Sequence, residues 1–252
     1  MNALLFTLAL FATANADLQQ RAESAFRMGI ENRNDAKTAR AMFQQAAEAY
    51  AAMRTQGADN AELHQNEGNA RVLAGDAAGA ILAYHRGLRH DPNSGELRRG
   101  LHYARSRVAF ATADEQRALG VADSRTWGSR LIHGYRFHIL AVLTSLGSLA
   151  CIAWFLSRRH RWLAAGIGLF TAAGIWTAAS VWTTQDRGLP HAVVVRSSFL
   201  RKGNGVSFPL QRDLPLPAGT EAKVRFDRGS WKQVELADGS VGWLPANAVE
   251  IP

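Results

Sequence analysis

The sequence predicts a multi-part chain: an α-helical solenoid, then a transmembrane helical hairpin, then a small all-β barrel. Three observations carry that prediction. Alanine-rich segments with helical spacing of apolar residues fill residues 17–120. Two uncharged apolar runs lie side by side in the middle, divided by a short basic stretch. Residues 191–252 alternate apolar and polar positions between turn signals.

At its N-terminus the chain reads MNALLFTLALFATANA, with apolar residues from Ala3 to Phe11 followed by Ala14-Asn15-Ala16. The apolar run is too short to cross a bilayer, and the A-x-A pattern reads as a cleavage site, so residues 1–16 are expected to be a secretory signal. No cysteine stands near that site, which excludes a lipoprotein.

Residues 61–93, AELHQNEGNARVLAGDAAGAILAYHRGLRHDPN, place Gly68, Gly75, Ala80, Tyr84, Leu88 and Pro92 at the spacing of a helix–turn–helix repeat. Gly68 and Ala80 let two helices touch, Tyr84 fills the gap behind them, and Gly75-Asp76 turns the chain. Asp91-Pro92 stops the second helix. Ala46 and Tyr50 stand one 34-residue period before Ala80 and Tyr84, so residues 39–57 read as the second helix of a preceding unit. Its first helix is expected within residues 18–32, and residues 94–117 read as one closing helix. This spacing resembles the tetratricopeptide repeat. The resemblance implies a groove for a peptide or partner helix, lined by Glu62, Gln65, Asn69, Val72 and Leu73, with Arg98 and Arg99 close by.

The membrane hairpin follows a juxtamembrane linker at 121–136. Residues 137–156 and 162–182 contain no Asp, Glu, Lys or Arg. As helices each is about 30 Å long, the thickness of a hydrocarbon core. Ala164, Gly168 and Ala172 form a small-residue stripe that would let the two helices approach. The only cysteine, Cys151, falls inside the first run, so no intrachain disulfide can form. Residues 183–190 read as a second linker.

Charge sets the expected topology. The formal net charge of +8 invites a nucleic-acid reading, yet the ends are nearly balanced: 14 basic against 13 acidic residues through 120, and 8 against 6 from 192 onward. The excess lies around the apolar runs, as for arginines meeting lipid headgroups, and this excludes a nucleic-acid partner. Arg158, Arg159 and Arg161, with His160, make a basic loop at residues 157–161 that belongs in the cytoplasm by the positive-inside rule. Both soluble ends then face the periplasm of a bacterial inner membrane. Arg125, Arg130 and Arg136 run against that rule and are expected to lie in an amphipathic collar on the outer surface.

Strands are expected at residues 192–196, 221–226, 233–236 and 241–244, with turns at 227–229 and 238–239. The pattern W-x-x-V-x-L-x-D-G-x-x-G-W-L-P-x-x-x-V-x-x-I, from Trp231 to Ile251 with its last gap one residue shorter, resembles a bacterial SH3-like domain. Trp231 and Pro245 match two positions of the proline-peptide groove of SH3 domains, but Ala248 stands where a groove tyrosine would be. The resemblance therefore implies contact with another protein or with peptidoglycan rather than proline-rich recognition.

Catalytic chemistry has no signature here. The eight histidines are scattered, without metal-binding spacing, and no G-x-S-x-G, phosphate-binding loop or dinucleotide fingerprint occurs. No catalytic, cofactor or metal site is expected. The order of parts (exported repeats, membrane hairpin with a basic loop, SH3-like end) resembles the BatE family of the Bat, aerotolerance-associated, proteins. That resemblance implies a non-catalytic scaffold whose partners are von Willebrand-type Bat membrane proteins and, across the membrane, a MoxR-type ATPase. The alternatives are a membrane-anchored peptidoglycan-binding or sensing module and, less favoured, a signalling protein with both ends cytoplasmic.

Overall fold

The structure is a computed structural model describing the backbone of residues 2–121, 127–185 and 191–252, with side chains over 15–121, 137–178 and 191–252. It divides into two units. The first joins Met1–Val121 to Pro190–Pro252, and the second is Ala122–Leu189. The repeat region and the C-terminal sheet, which read as separate domains in the sequence, thus form one body.

In the first unit six helices precede the sheet: α1 (Asn2–Glu31), α2 (Ala36–Thr55), α3 (Ala61–Ala74), α4 (Ala77–His90), α5 (Gly95–Ser106) and α6 (Ala113–Leu119). The expected signal segment is the start of α1, which runs unbroken through residues 14–16; the side chains of residues 1–14 lie outside those described. Helices α2 to α6 begin at Asp35, Asn60, Asp76, Ser94 and Thr112, each of whose side chains accepts a hydrogen bond from an otherwise orphaned backbone N–H. Helices α1 to α5 pack in chain order, and α3 also touches α5. Tyr84, 2% exposed, fills the space between α3 and α5. A Cβ at either Gly68 or Gly100 would stand 2.6 Å from its ring. Gly75, at φ 87°, turns the chain between α3 and α4. The expected single helix at 94–117 is instead α5 and α6, divided by residues 107–112. The break turns α6 so that Leu119 enters the sheet's core rather than extending the helical stack.

The sheet is antiparallel, in the order β4-β3-β2-β1-β5, with β1 at His191–Val194, β2 at Glu221–Arg228, β3 at Trp231–Leu236, β4 at Val241–Pro245 and β5 at Val249–Glu250. The expected barrel is not closed. β4 and β5, the two edges, are joined by a 3-10 turn over Ala246–Ala248 and are not paired with each other. The chain between β1 and β2 supplies no full strand; it meets β4 through one bridge, Arg201 to Trp243. Gly242 permits that crossing, since a Cβ there would lie 2.5 Å from Leu200 Cγ and 2.9 Å from the Arg201 carbonyl.

β1 is shared by two cores. Alternate residues of a strand face opposite sides: Ala192 and Val194 join Leu200, Leu216, Val234 and Leu244 inside the sheet, while Val193 joins Ile81, Tyr84, Leu97 and Leu101 in the helical layer. At about 1.5–3 kcal/mol for each fully buried valine, this one strand ties the layers together. Gly219 (φ 97°) brings the approach to β2 so close to the helices that a Cβ there would be 2.6 Å from Val108 Cγ2.

The second unit is two packed helices, α7 (Trp127–Ser157) and α8 (His160–Gln185). Phe137–Ser157 is long and apolar enough to cross a membrane, with mean hydropathy 2.2 and 11% of that window buried. The second expected span ends at residues 179–182, outside the described side chains, as do Arg125, Arg130, Arg136 and most of the 183–190 linker. The contact face differs from expectation. Gly168 has open space where a Cβ would be, and Ala164 is exposed; the helices meet instead through Gly147 and Ala150 on α7 and Gly166 and Ala173 on α8. Gly166 and Ala173, seven residues apart, share a helical face that excludes 164 and 168. The loop is tighter than the expected 157–161, only Arg158-Arg159 between the helices. Arg158 turns it at φ 52° and donates its backbone N–H to the Trp154 carbonyl at 2.8 Å.

Candidate functional site

The expected groove residues cluster on α3 and its neighbour α5, though several are engaged within the fold. Gln65 Nε2 donates to Glu96 Oε2 at 2.9 Å, bridging α3 to α5. Asn69 Oδ1 accepts the Tyr84 hydroxyl at 2.8 Å. Burial pushes the Tyr84 phenol up to about 12, so it stays a donor. Val72 packs against the helical core, whereas Glu62 and Leu73 are exposed. Arg98 donates to the Pro92 carbonyl, and Arg99 is exposed on α5. A cleft near the helix ends is lined by Val72, Gly75, Arg40 and Arg107. Val72 is the expected groove residue that reaches it.

On the sheet, Trp231 and Pro245 face each other as register partners of β3 and β4, both half-buried. Trp243 is 9% exposed, with the Arg228 guanidinium 5.6 Å from its ring centre. Ala248 is buried. Larger apolar side chains stand out elsewhere: Val206 is 78% exposed and Phe226 63%. The basic loop places Arg158 over Phe155 at 5.3 Å and Arg161 over Trp162 at 5.8 Å, while Arg159 is exposed.

The densest electrostatics lie at the seam between helices and sheet. Glu221 of β2, 7% exposed, takes a forked pair from Arg105, with Nε to Oε2 at 2.6 Å and Nη2 to Oε1 at 3.0 Å. His85 of α4 bonds the same carboxylate, and His191 stacks on His85 at 6.4 Å between ring centres. Burial drives the Glu221 carboxyl up, but the bonds from His85 and Arg105 outweigh it and hold the group down at about 2. His191 is pushed below its ordinary value by burial and by His85. Arg86 pairs with Glu250, and Arg89 Nη1 donates to the Pro252 carbonyl at 2.7 Å.

A second cluster sits at the last residue of α4, where it meets the start of α3. Asp59, just before the cap of α3, receives His64 Nε2 at 2.6 Å and His90 Nε2 at 3.1 Å on one oxygen, Oδ1. The two imidazoles stack at 5.5 Å. His64 and Glu67 are fully buried, and Glu67 holds Arg71 at 2.8 Å. Neither this cluster nor the seam was visible in sequence spacing, because each assembles side chains from different elements.

No family model matches the chain, and comparison with curated proteins finds no significant match.

Proposed function

We propose that the protein is a non-catalytic adaptor anchored in a bacterial inner membrane by its helical pair, holding partner proteins at the periplasmic face. The observation that carries this is the joining of the chain's two ends in one compact unit around an apolar two-helix insertion. A segment that crosses twice returns the chain to its starting side, and two ends sharing the core around Val193 require that return. The outward surface of α7 and α8 supports lipid as their solvent: Leu149, Ile152, Phe155, Ile167 and Ile175 are 55–72% exposed. The pairing order of α1 to α5 and the Gly68–Tyr84 contact support a tetratricopeptide-like layer with the α3–α5 side as its binding face. The sheet supports an SH3-like role as a second contact. The likeness to BatE then gives the partner class: von Willebrand-type Bat proteins in the membrane and a MoxR-type ATPase across it.

The test places a photocrosslinking residue at Leu73, exposed on α3, and another at Arg40, beside the cleft, in the full chain within cells. Discrete protein adducts from these positions are expected. Absence of adducts, together with retention of the full chain on purified peptidoglycan, overturns the adaptor in favour of wall binding. A periplasm-dependent reporter fused after Pro252 is expected to be active; a silent reporter overturns the topology.

A further inference from the structure

We propose that Asp59, His64 and His90 bind a divalent late transition-metal ion of the zinc class, which clips the start of α3 to the end of α4. The inference goes beyond the adaptor reading and stands independently of it. Asp59 Oδ1, His64 Nε2 and His90 Nε2 all lie within 4.8 Å of one another, the range spanned by ligand atoms around one ion. They come from three places the fold holds fixed. Asp59 precedes the Asn60 cap, whose side chain accepts the Leu63 N–H at 2.8 Å. His64 is in the first turn of α3, and His90 is the last residue of α4.

The decisive feature is the far nitrogen of His64. Its ring is wholly buried, and each nitrogen faces a carboxylate: Nε2 meets Asp59 at 2.6 Å, and Nδ1 meets Glu67 Oε2 at 3.9 Å. Nδ1 and Glu67 Oε2 are both without a hydrogen-bond partner among the described residues. A neutral imidazole has one N–H and one lone pair. With the proton on Nε2 the ring donates to Asp59 and turns the Nδ1 lone pair toward the Glu67 carboxylate; with it on Nδ1 the Nε2 lone pair points at the Asp59 oxygen, which His90 Nε2 also meets. A cation among those three atoms resolves the conflict. A metal ion takes both imidazole lone pairs and the carboxylate together, leaving Nδ1–H to Glu67 in the carboxylate–histidine–metal arrangement that fixes a ligand's tautomer. Glu67 is itself held by Arg71 through Oε1, and its Oε2 faces His64 Nδ1 and Arg54 Nε, each at 3.9 Å.

Two imidazoles and one carboxylate suit zinc and its neighbours rather than magnesium or calcium, which take oxygen ligands. Three protein ligands leave a position for water or for a side chain of a bound partner. Because His90 and Asp59 are exposed while His64 is buried, that position faces outward.

The experiment uses the full chain in detergent micelles, without an affinity tag, stripped with chelator and titrated with Zn2+ against a chromophoric competitor; Co2+ is then bound and its visible spectrum recorded. Wild type is expected to hold one Zn2+ per chain, to melt at a higher temperature with it, and to give Co2+ bands of low coordination number. His90→Ala and Asp59→Asn remove or expose only surface atoms and are expected to lose that equivalent and the bands. Glu67→Gln is expected to weaken binding by about 10–100-fold, and the exposed control His102→Ala to leave it unchanged. Wild type that retains no Zn2+, or His90→Ala and Asp59→Asn proteins that bind as wild type does, overturns the proposal. Circular dichroism on each variant ensures that loss of binding is read on a folded chain.

Discussion

Glu67 and Glu221 are both buried carboxylates facing an arginine and a histidine, but they hold different things. The close partners of Glu67 are local: Arg71 is one helical turn away and His64 three residues back, with Arg54 of α2 also facing it at 3.9 Å. Those of Glu221 lie 116 and 136 residues distant, on α5 and α4. The first pair, with Arg71 and His64, spans a single helix, α3, and needs no distant part of the chain to bring it together. The second exists only once the sheet has returned to the helices across the whole intervening insertion. The contrast teaches where the single body is vulnerable: at the seam, not inside the helical hairpins.

Removing the distant carboxylate sharpens this most. Glu221→Ala leaves Arg105 and His85 facing a buried void of charge, and breaking a buried pair on one side costs about 3–5 kcal/mol. Hydrogen exchange measured segment by segment is expected to show lost protection in β1, β2 and β5, with α3 and α4 retained. Uniform loss over both layers would mean that helices and sheet unfold only together and that the seam is no separate weak point.

Acid probes the same place without mutation. The charged and titratable groups around Glu221 are His85 from α4, Arg105 from α5, His191 from β1 and Lys223 on its own strand. The Glu221 carboxyl is lowered from its ordinary 4.5 to about 2 in the folded protein. A depressed acid contributes stability that is fully present above the unfolded value and is lost as pH falls toward the folded one. The window is therefore between about 4.5 and 2, and the loss is on the order of 3 kcal/mol. Wild type and Glu221→Gln are expected to converge in unfolding free energy across that window. Parallel curves would remove the seam carboxylate from the acid response.

The helical half was the more legible part of the fold. Gly68, Gly75 and Tyr84 announce their roles through spacing alone, because a close approach, a left-handed turn and a gap-filling ring are local demands. Four strands were also readable from alternation around Asp227–Gly229 and Asp238-Gly239. Two things were not. The open sheet depends on where residues 195–220 lie, a stretch with little periodicity. The shared strand was hidden because HAVVV has the same letters whether one face is buried or both. The small-residue stripe on α8 was misplaced at Ala164 and Gly168, since a four-residue spacing and the seven-residue spacing of Gly166 and Ala173 both mark one helical face, and only the partner helix decides between them. The histidines were set aside for want of spacing on one helix, yet His64 and His90 meet because the end of α4 returns to the start of α3.

The smallest effect tests how the helical layer hands over to the sheet. Helix α6 spans only Ala113–Leu119, too short to persist on propensity, and Leu119 at its end is 1% exposed in the sheet's core. Thr112 Oγ1 accepts the Glu115 N–H at 3.1 Å, and Glu115 reaches back to the Ala111 N–H at 3.1 Å. This exchange satisfies two donors at the helix start, close to a capping box in form. Thr112→Ala is expected to cost about 1 kcal/mol and to raise exchange in α6 while α3 and α4 stay protected. If α6 keeps its protection, Leu119 rather than the cap holds the helix in place; the paired variant Leu119→Ala then has the larger effect, about 2–5 kcal/mol for a buried leucine, because it empties a site in the sheet's core.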